Sequence, residues 1–473
     1  MDRSAFFYDI FIKAFGLEPT SCQDRLFRRI AEFLSSDDSD VLLVNGYAGT
    51  GKTTALGAVV NALAAQRIKT ELLAPTGRAS KVQEQLSGRP SHTIHKHIFR
   101  QNTVGSDGHA SFSLSPNKAK NTLFVVDEVS LIGDGSSQDN TVKFGSGNLL
   151  DDLIKFVRSG IDCKLILAGD SAQLPPVGMD NSPALGEDAM DSAFGGVSSV
   201  TLSGVVRQAR QSGILTNATI VREKIVDGDI SPLKLNITGF EDIERVGGAE
   251  LIEKISDAYS SFGEDETVVL CRSNKRANRY NNGIRSTVLF KEEQLGRGDR
   301  LMIVKNCYQF LENVPEIDFI ANGDIARLEN IRHYEERYGL HFADAVLSFP
   351  DYGDVEINAK VLLDTLQSES ASLSPVQQDA LYAGVSADYA DRGSRRKVWE
   401  AVREDSYFNA LQLKYSQAIT CHKSQGGQWK CVFIDCPFWQ EETSIEDLKW
   451  LYTALTRAVE KVYLVNFPDR FFV

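Results

Sequence analysis

The stretch Val41–Thr54, VLLVNGYAGTGKTT, constrains the fold of this chain more than any other segment. Five mostly apolar residues predict a buried strand, and Gly46–Thr53 then matches G-x-x-x-x-G-K-[ST] at every position. Apolar residues follow at helical spacing, so the loop joins a strand to a helix and its N–H groups can surround phosphate oxygens. We predict a nucleoside triphosphate site in an α/β fold, formed by Gly46, Gly49, Thr50, Gly51, Lys52, Thr53 and Thr54.

Carboxylates at the end of another apolar strand complete the chemistry that this loop needs. Lys52 can reach the β- and γ-phosphates, and the Thr53 hydroxyl can bind Mg²⁺. The strand Leu123–Val126 ends in Asp127 and Glu128. Parallel sheets bind ligands beyond the carboxyl ends of their strands, so we expect Asp127 to bind Mg²⁺ with Thr53. Glu128 is expected to orient or deprotonate a water that attacks the γ-phosphate.

Two later residues are candidates for contacts with the same phosphates. The predicted strand Lys164–Ala168 leads into GDSAQLPP, where the uncharged amide of Gln173 is suited to sense a γ-phosphate. The segment Leu202–Gln208 contains Arg207, a candidate stabiliser of transition-state charge. A surface arginine remains the alternative for Arg207.

Composition limits the class of protein. The chain has 473 residues, 42% hydrophobic and 24% charged, which is typical of folded domains and long enough for about three of them. Its seven cysteines form no C-x-x-C pair, which argues against a zinc site or a disulfide scaffold and favours the cytoplasm. No apolar run approaches a membrane span, and charges interrupt the N-terminal segment. A net charge of −13 by itself argues against a nucleic-acid partner.

The apolar pattern divides the chain into several parts. We predict N-terminal helices in 1–40, a first α/β domain in 41–210, and a helical connector in 211–265. A second α/β domain is expected in 266–323 and 413–473, around an inserted β-rich module in 324–412. The strands expected in its sheet are Val268–Cys271, Leu301–Val304, Val432–Ile434 and Val462–Val465.

A short insertion lies within the first predicted domain. Residues 98–120 alternate weakly around a Gly/Ser/Asp turn, which predicts a hairpin. Residues 89–120 contain five Lys or Arg and one acid, Asp107. The acidic average therefore conceals a local basic patch, which suits contact with phosphates.

Eight motifs follow one another along the chain: GYAGTGKTT, APTGRA, SHTIHKHI, VVDEVS, GDSAQLPPV, VVRQ, ITCHKSQGGQW and LYTALTRA. In this order they resemble the motifs of the superfamily 1 helicases, and in detail those of the RecD-type and Dda-like branch. The resemblance spans about residues 20 to 466. It implies two RecA-like domains with ATP and Mg²⁺ in the cleft between them and single-stranded DNA across both.

The resemblance also implies roles for individual residues. Gln23 is expected to recognise adenine, Gln173 to read the γ-phosphate, and Arg207 and Arg457 to act as arginine fingers. The hairpin resembles a duplex-separating pin, and the insert resembles an SH3-like accessory module. The residues implied to contact the strand are Thr76, Arg78, His95, Thr420, His422 and Ser424.

The predicted function is ATP-dependent DNA unwinding with 5′-to-3′ translocation, the polarity resting on the resemblance alone. The expected partners are single-stranded DNA and duplex junctions, and no membrane is expected as a partner. The oligomeric state stays open. An RNA helicase or remodeller is an alternative, because phosphate contacts do not distinguish ribose unless a 2′-OH is read. A non-motor ATPase subunit of a nuclease or conjugation complex is another.

Overall fold

The computed structural model describes residues 2–101, 111–133, 143–204, 211–438 apart from 313, 315, 316 and 318, and 442–473. Its helices are α1 Arg3–Phe15, α2 Ser21–Ser35, α3 Lys52–Ala65, α4 Gly77–Ser87, α5 Ile94–Ile98, α6 Leu149–Arg158, α7 Glu187–Phe194, α8 Gly213–Asp227, α9 Leu251–Phe262, α10 Asn274–Thr287, α11 Pro375–Asp388, α12 Arg395–Glu404, α13 Cys421–Ser424 and α14 Ile445–Leu455.

The strands, in chain order, are β1 Val41–Gly46, β2 Lys69–Ala74, β3 Ser91–Thr93, β4 Phe99–Gln101, β5 Ser111–Leu114, β6 Thr122–Val126, β7 Lys143–Phe144, β8 Lys164–Gly169, β9 Val197–Leu202, β10 Ile243–Val246, β11 Thr267–Cys271, β12 Arg300–Ile303, β13 Ile325–Arg337, β14 Leu340–Phe349, β15 Val355–Leu362, β16 Leu411–Tyr415, β17 Ala418–Thr420, β18 Trp429–Asp435 and β19 Ala458–Val465.

The first sheet contains the strand that precedes the phosphate loop. Among the described residues it has six parallel strands in the order β3-β2-β6-β8-β1-β9. Successive residues of β1 face opposite sides, so Leu42 and Val44 pack with α1, α2 and α3. Val41 and Leu43 pack on the side of α5 and α6. Helices cover both faces of this sheet, which explains the apolar runs of its inner strands β1, β6 and β8.

The second sheet is also parallel and carries the C-terminal motifs. Its described strands lie in the order β10-β19-β18-β11-β17. Helices α8 and α14 pack on one face, and α9 and α10 on the other. Because β10 lies within 211–265, the purely helical connector predicted there was wrong. The sequence of β10 is IERV, a short edge strand with two charged residues and no apolar run.

A closed barrel of β12, β13, β14, β15 and β16 forms the accessory module. Strand β12 pairs with β13 and β16, so assigning Leu301–Val304 to the second sheet was wrong. An apolar run predicts a buried strand but does not identify its partners, which here lie far along the chain. Helices α11 and α12 come between β15 and β16 and were not predicted, since the insert was expected to be β-rich.

The basic insertion in the first domain contains the predicted antiparallel pair. Phe99 of β4 lies opposite Leu114 of β5, and β7 pairs in parallel with β5. The turn predicted at 105–108 lies outside the described residues. None of the described helices is both long and apolar enough to span a bilayer.

Candidate functional site

The phosphate loop has the backbone geometry that its glycines predict. Gly49 and Gly51 have φ of 73° and 74°, in the left-handed region that other residues rarely adopt. A side chain on Gly46 would meet the Lys52 side chain at 2.8 Å. Helix α3 begins at Lys52, and no side chain among the described residues caps it at Gly51. Its first N–H groups are therefore available to an anion.

Lys52, Thr53 and Asp127 meet at the carboxyl ends of β1 and β6. Lys52 Nζ donates to Asp127 Oδ1 at 2.8 Å, and Thr53 Oγ1 donates to Asp127 Oδ2 at 3.3 Å. Burial lowers the pKa of Lys52, but the charges of Asp127 and Glu128 outweigh it and hold the pKa above its usual value. Lys52 is therefore a cation at the base of the loop.

Glu128 and Gln173 each have a buried side-chain oxygen without a hydrogen-bond partner among the described residues. These atoms are Glu128 Oε2 and Gln173 Oε1. Glu128 also has a φ of 57°, unusual for a residue with a side chain. Buried polar atoms are almost always paired in folded proteins, so each of these orphaned oxygens is a candidate for a bond to a ligand or water.

Gln23 contacts the phosphate loop from helix α2. Its Nε2 donates to the Thr50 carbonyl at 3.0 Å, and its Oε1 accepts from the Thr20 N–H at 3.0 Å. The second bond belongs to a capping box at the start of α2. The structure thus brings Gln23 to the loop with both ends of its amide bonded within the protein.

A tyrosine from the second domain reaches the phosphate loop. The Tyr452 hydroxyl, on α14, donates to Asp170 Oδ2 at 2.6 Å and accepts from the Ala48 N–H at 2.9 Å. Burial raises the pKa of Asp170 to about 6, although the bond from Tyr452 opposes that shift. Sequence reasoning missed Tyr452 and Asp170, even though both lie inside motifs it had identified.

A second set of bonds joins the domains one residue further along α14. The Leu174 N–H donates to Thr453 Oγ1 at 2.8 Å, and Gln425 Nε2 donates to the Leu174 carbonyl at 2.6 Å. Leu174 itself packs into the core of the second domain. Leu174, next to Gln173, is therefore fixed to the second domain.

Of the two predicted arginine fingers, only Arg457 lies within the described residues. Arg457 is buried, and its guanidinium donates to the carbonyls of Thr453 and Gly427 at 3.1 and 3.3 Å. Arg207 lies outside the described residues. A cation that sequence reasoning missed, Arg222, is buried 4.9 Å from the ring centroid of Tyr47 in the phosphate loop.

Thr76 and Arg78 lie where the first domain meets the second. Thr76 caps α4 by accepting from the Ala79 N–H, and a side chain on Gly426 would meet Thr76 Oγ1 at 3.2 Å. The Arg78 guanidinium stacks on Trp429 at 3.9 Å. This close approach of backbone and side chains explains the glycines of the QGGQW segment.

The remaining residues predicted to contact a DNA strand differ in how deeply they are buried. The His95 ring packs against Phe99, Phe144 and Phe319, and burial lowers its pKa to about 4, so it is neutral. Thr420 and His422 are partly exposed at the start of α13.

Ser424 is the exception among these candidates. Its side chain is fully buried and its hydroxyl donates to the Cys421 carbonyl at 2.7 Å. A direct contact between Ser424 and a nucleic-acid strand is thus inconsistent with the structure. The residue stabilises the turn at α13, because its hydroxyl closes the turn on itself.

Comparison with known proteins finds helicases that are similar to this chain. The AAA domain model matches residues 23–235, and the UvrD-like helicase C-terminal domain model matches residues 415–465. The chain is 24% identical to the ATP-dependent DNA helicase dda of Enterobacteria phage T4, over 89% of this chain and 93% of that protein. The chain is thus similar to ATP-dependent DNA helicases of the RecD and Dda type.

Other similar proteins match over different lengths. The ATP-dependent RecD2 DNA helicase of Deinococcus radiodurans is 30% identical over 45% of this chain, which spans 25% of that longer relative. Among solved structures, the Pif1 helicase from Bacteroides with ADP-AlF3 and ssDNA aligns with 97% of this chain and 95% of that one. Its sequence identity is 14% and its TM-score 0.48.

Proposed function

We propose that this protein is an ATP- and Mg²⁺-dependent helicase that moves 5′-to-3′ along single-stranded DNA and separates duplexes. The observation that carries the proposal is the position of Tyr452, which joins the phosphate loop of one parallel sheet to a helix of another. A triphosphate in that loop lies at the junction of two domains, so binding and hydrolysis can change how the domains meet. DNA as the substrate is supported by the names of two relatives, one matched over 93% of its length and the other over 25%.

The residues around the loop fit a nucleotide with Mg²⁺. Mg²⁺ is usually bound by one or two carboxylates together with substrate phosphates, and Asp127 and Thr53 supply such a partial set. Lys52 is paired with Asp127 at 2.8 Å and has the length and charge to shift to a β- or γ-phosphate. Gln23 is assigned to the adenine because it lies against Thr50 of the loop.

For hydrolysis, we assign Glu128 to the attacking water and Gln173 to the γ-phosphate, since each has an orphaned buried oxygen. Arg207 and Arg457 are assigned as arginine fingers. Arg457 is held by carbonyls of its own domain, so its action requires a movement that exchanges those acceptors for phosphate oxygens. Such a requirement couples the rate of hydrolysis to closure of the domains.

We assign as contacts with single-stranded DNA the residues Thr76, Arg78, His95, Thr420 and His422. Thr76 and Thr420 stand at helix N-termini, which favour phosphate oxygens. We assign the hairpin of β4 and β5 as the pin that meets the DNA duplex. We assign the barrel as the module that encloses the single-stranded DNA. Since all seven cysteines are free, we assign the protein to a reducing compartment such as the cytoplasm.

The test is an unwinding assay on duplexes that carry a 5′ or a 3′ single-stranded tail. The proposal predicts ATP-dependent strand separation with the 5′ tail and little with the 3′ tail. ATPase stimulation by matched DNA and RNA strands distinguishes a DNA helicase from an RNA remodeller. Strong DNA-stimulated ATPase without strand separation on any substrate would instead indicate a non-motor ATPase subunit.

A further inference from the structure

A cavity of about 340 Å³ lies between the barrel and the helices α11 and α12. Its volume falls within the range of small-molecule and cofactor pockets. None of the candidate site residues that the structure describes lines it. We call it the barrel–helix pocket, and its walls come from residues 305–309, α11, α12 and residues 408–412.

Aromatic rings form much of the lining of the barrel–helix pocket. Tyr382, Trp399 and Phe408 come from three separate segments of the chain. Tyr382 is 39% exposed and packs edge-on against Phe408, with ring centroids 6.0 Å apart. Trp399 and Phe408 are also only partly buried. The rings therefore present surface to the cavity instead of filling it.

Cations and an amide accompany the rings. The Arg403 guanidinium lies 4.9 Å from the Trp399 ring centroid, and Lys305 belongs to the wall formed by residues 305–309. Asp379 is the acidic residue of the lining. Gln378 Nε2 is buried and has no hydrogen-bond partner among the described residues. An amide of this kind can donate to a base edge.

The barrel–helix pocket adjoins the region that we assign to single-stranded DNA. Tyr308 lines the pocket, and its ring stacks on Phe319 at 5.4 Å and lies 5.3 Å from Phe112 of the hairpin. Phe319 in turn contacts His95, one of the predicted strand contacts. A row of aromatic rings thus connects the pocket with the hairpin and the first domain.

We propose that the barrel–helix pocket binds an unpaired base of single-stranded DNA. The base stacks on Trp399 and Tyr382, and Arg403 and Lys305 attract its phosphate. Proteins that hold single strands without sequence preference use this combination of aromatic faces and cations. The inference rests on the proposed function, and it adds a contact outside the motifs of the two RecA-like domains.

The test measures the affinity of the full chain for a fluorescent oligothymidylate, without nucleotide. We expect Trp399→Ala to weaken binding about 5- to 100-fold, the loss of one stacked base. Trp399→Phe keeps an aromatic face and is expected to restore most of the affinity. Tyr334→Ala is the matched control, because Tyr334 is 58% exposed on the barrel but does not line the pocket.

A forked duplex identifies which strand supplies the base. If the translocating strand supplies it, Trp399→Ala weakens binding of the oligothymidylate itself. If the displaced strand does, the loss occurs only with a fork that has both single-stranded arms. Unchanged affinity for both substrates, or an equal loss in Trp399→Phe, overturns the inference. Failure of the unaltered protein to bind DNA would contradict the proposed function instead, and unchanged DNA-free ATPase verifies that the variants are folded.

Discussion

The Tyr452 hydroxyl donates a 2.6 Å hydrogen bond to Asp170, across the junction of the two parallel-sheet domains. The same hydroxyl accepts from the Ala48 N–H of the phosphate loop at 2.9 Å. One side chain therefore joins three motifs, and Thr453 beside it bonds the Leu174 N–H. Helix α14 is fixed to the nucleotide side of the first domain rather than only to its own sheet.

Removal of this hydroxyl is expected to weaken the domain junction. Tyr452→Phe keeps the ring but leaves the buried Asp170 without its side-chain partner, so we expect a loss of about 1–3 kcal/mol in the free energy of unfolding. DNA-stimulated ATPase is expected to fall as well. Urea denaturation and steady-state turnover measure the two effects. Tyr334→Phe, on an exposed residue, is the control, and equal stability of the two variants would contradict the assigned contact.

Asp170 is expected to make stability depend on pH. Burial raises its pKa to about 6 in the folded protein, so the folded state retains the proton where the unfolded chain releases it. The contribution of this protonation to the free energy of unfolding is fully present below the pKa of Asp170 in the unfolded chain. It is lost as pH rises through the pKa of Asp170 in the folded protein. Asp170→Asn removes this titration.

The free energy of unfolding of Asp170→Asn, relative to the unaltered protein, should therefore increase by about 2 kcal/mol between pH of about 4.5 and about 7.5. Urea titrations at several pH values measure that difference. A difference that does not change with pH would mean that Asp170 titrates normally.

Lys52→Ala is expected to abolish ATP hydrolysis, because it removes the cation that we propose contacts the β- and γ-phosphates. The variant also leaves the buried Asp127 carboxylate without its 2.8 Å ion pair, so folding must be checked by circular dichroism. Lys69→Ala, at an exposed position of β2, is the matched control. Normal turnover in folded Lys52→Ala would refute the assigned site.

Glu128→Gln separates nucleotide binding from chemistry. The amide is close in shape to the carboxylate but cannot accept a proton, so we expect turnover to fall about 100-fold or more with ATP affinity little changed. A fluorescent ATP analogue measures affinity, and phosphate release measures turnover. Parallel losses in both would assign Glu128 to nucleotide binding rather than to the water.

Local patterns were enough to predict much of the site. The phosphate loop and the strand ending at Asp127 each lie within one strand-to-helix corner, where loop glycines and apolar runs determine the geometry. The meeting of Lys52, Thr53 and Asp127 follows from parallel strands that end at one edge of a sheet. These features required no knowledge of distant contacts.

Only the tertiary structure decided which distant segments meet. Tyr452 and Ala48 are 404 positions apart, and no periodicity in the sequence indicates their contact. Likewise, the run Leu301–Val304 is an equally good strand for a sheet or a barrel, and its partners β13 and β16 decided between them. Burial of Ser424 and the lining of the barrel–helix pocket depend on the same long-range packing. The sequence by itself determined the phosphate-binding corner because that chemistry is local, whereas the domain junction depends on side chains that only the folded chain brings together.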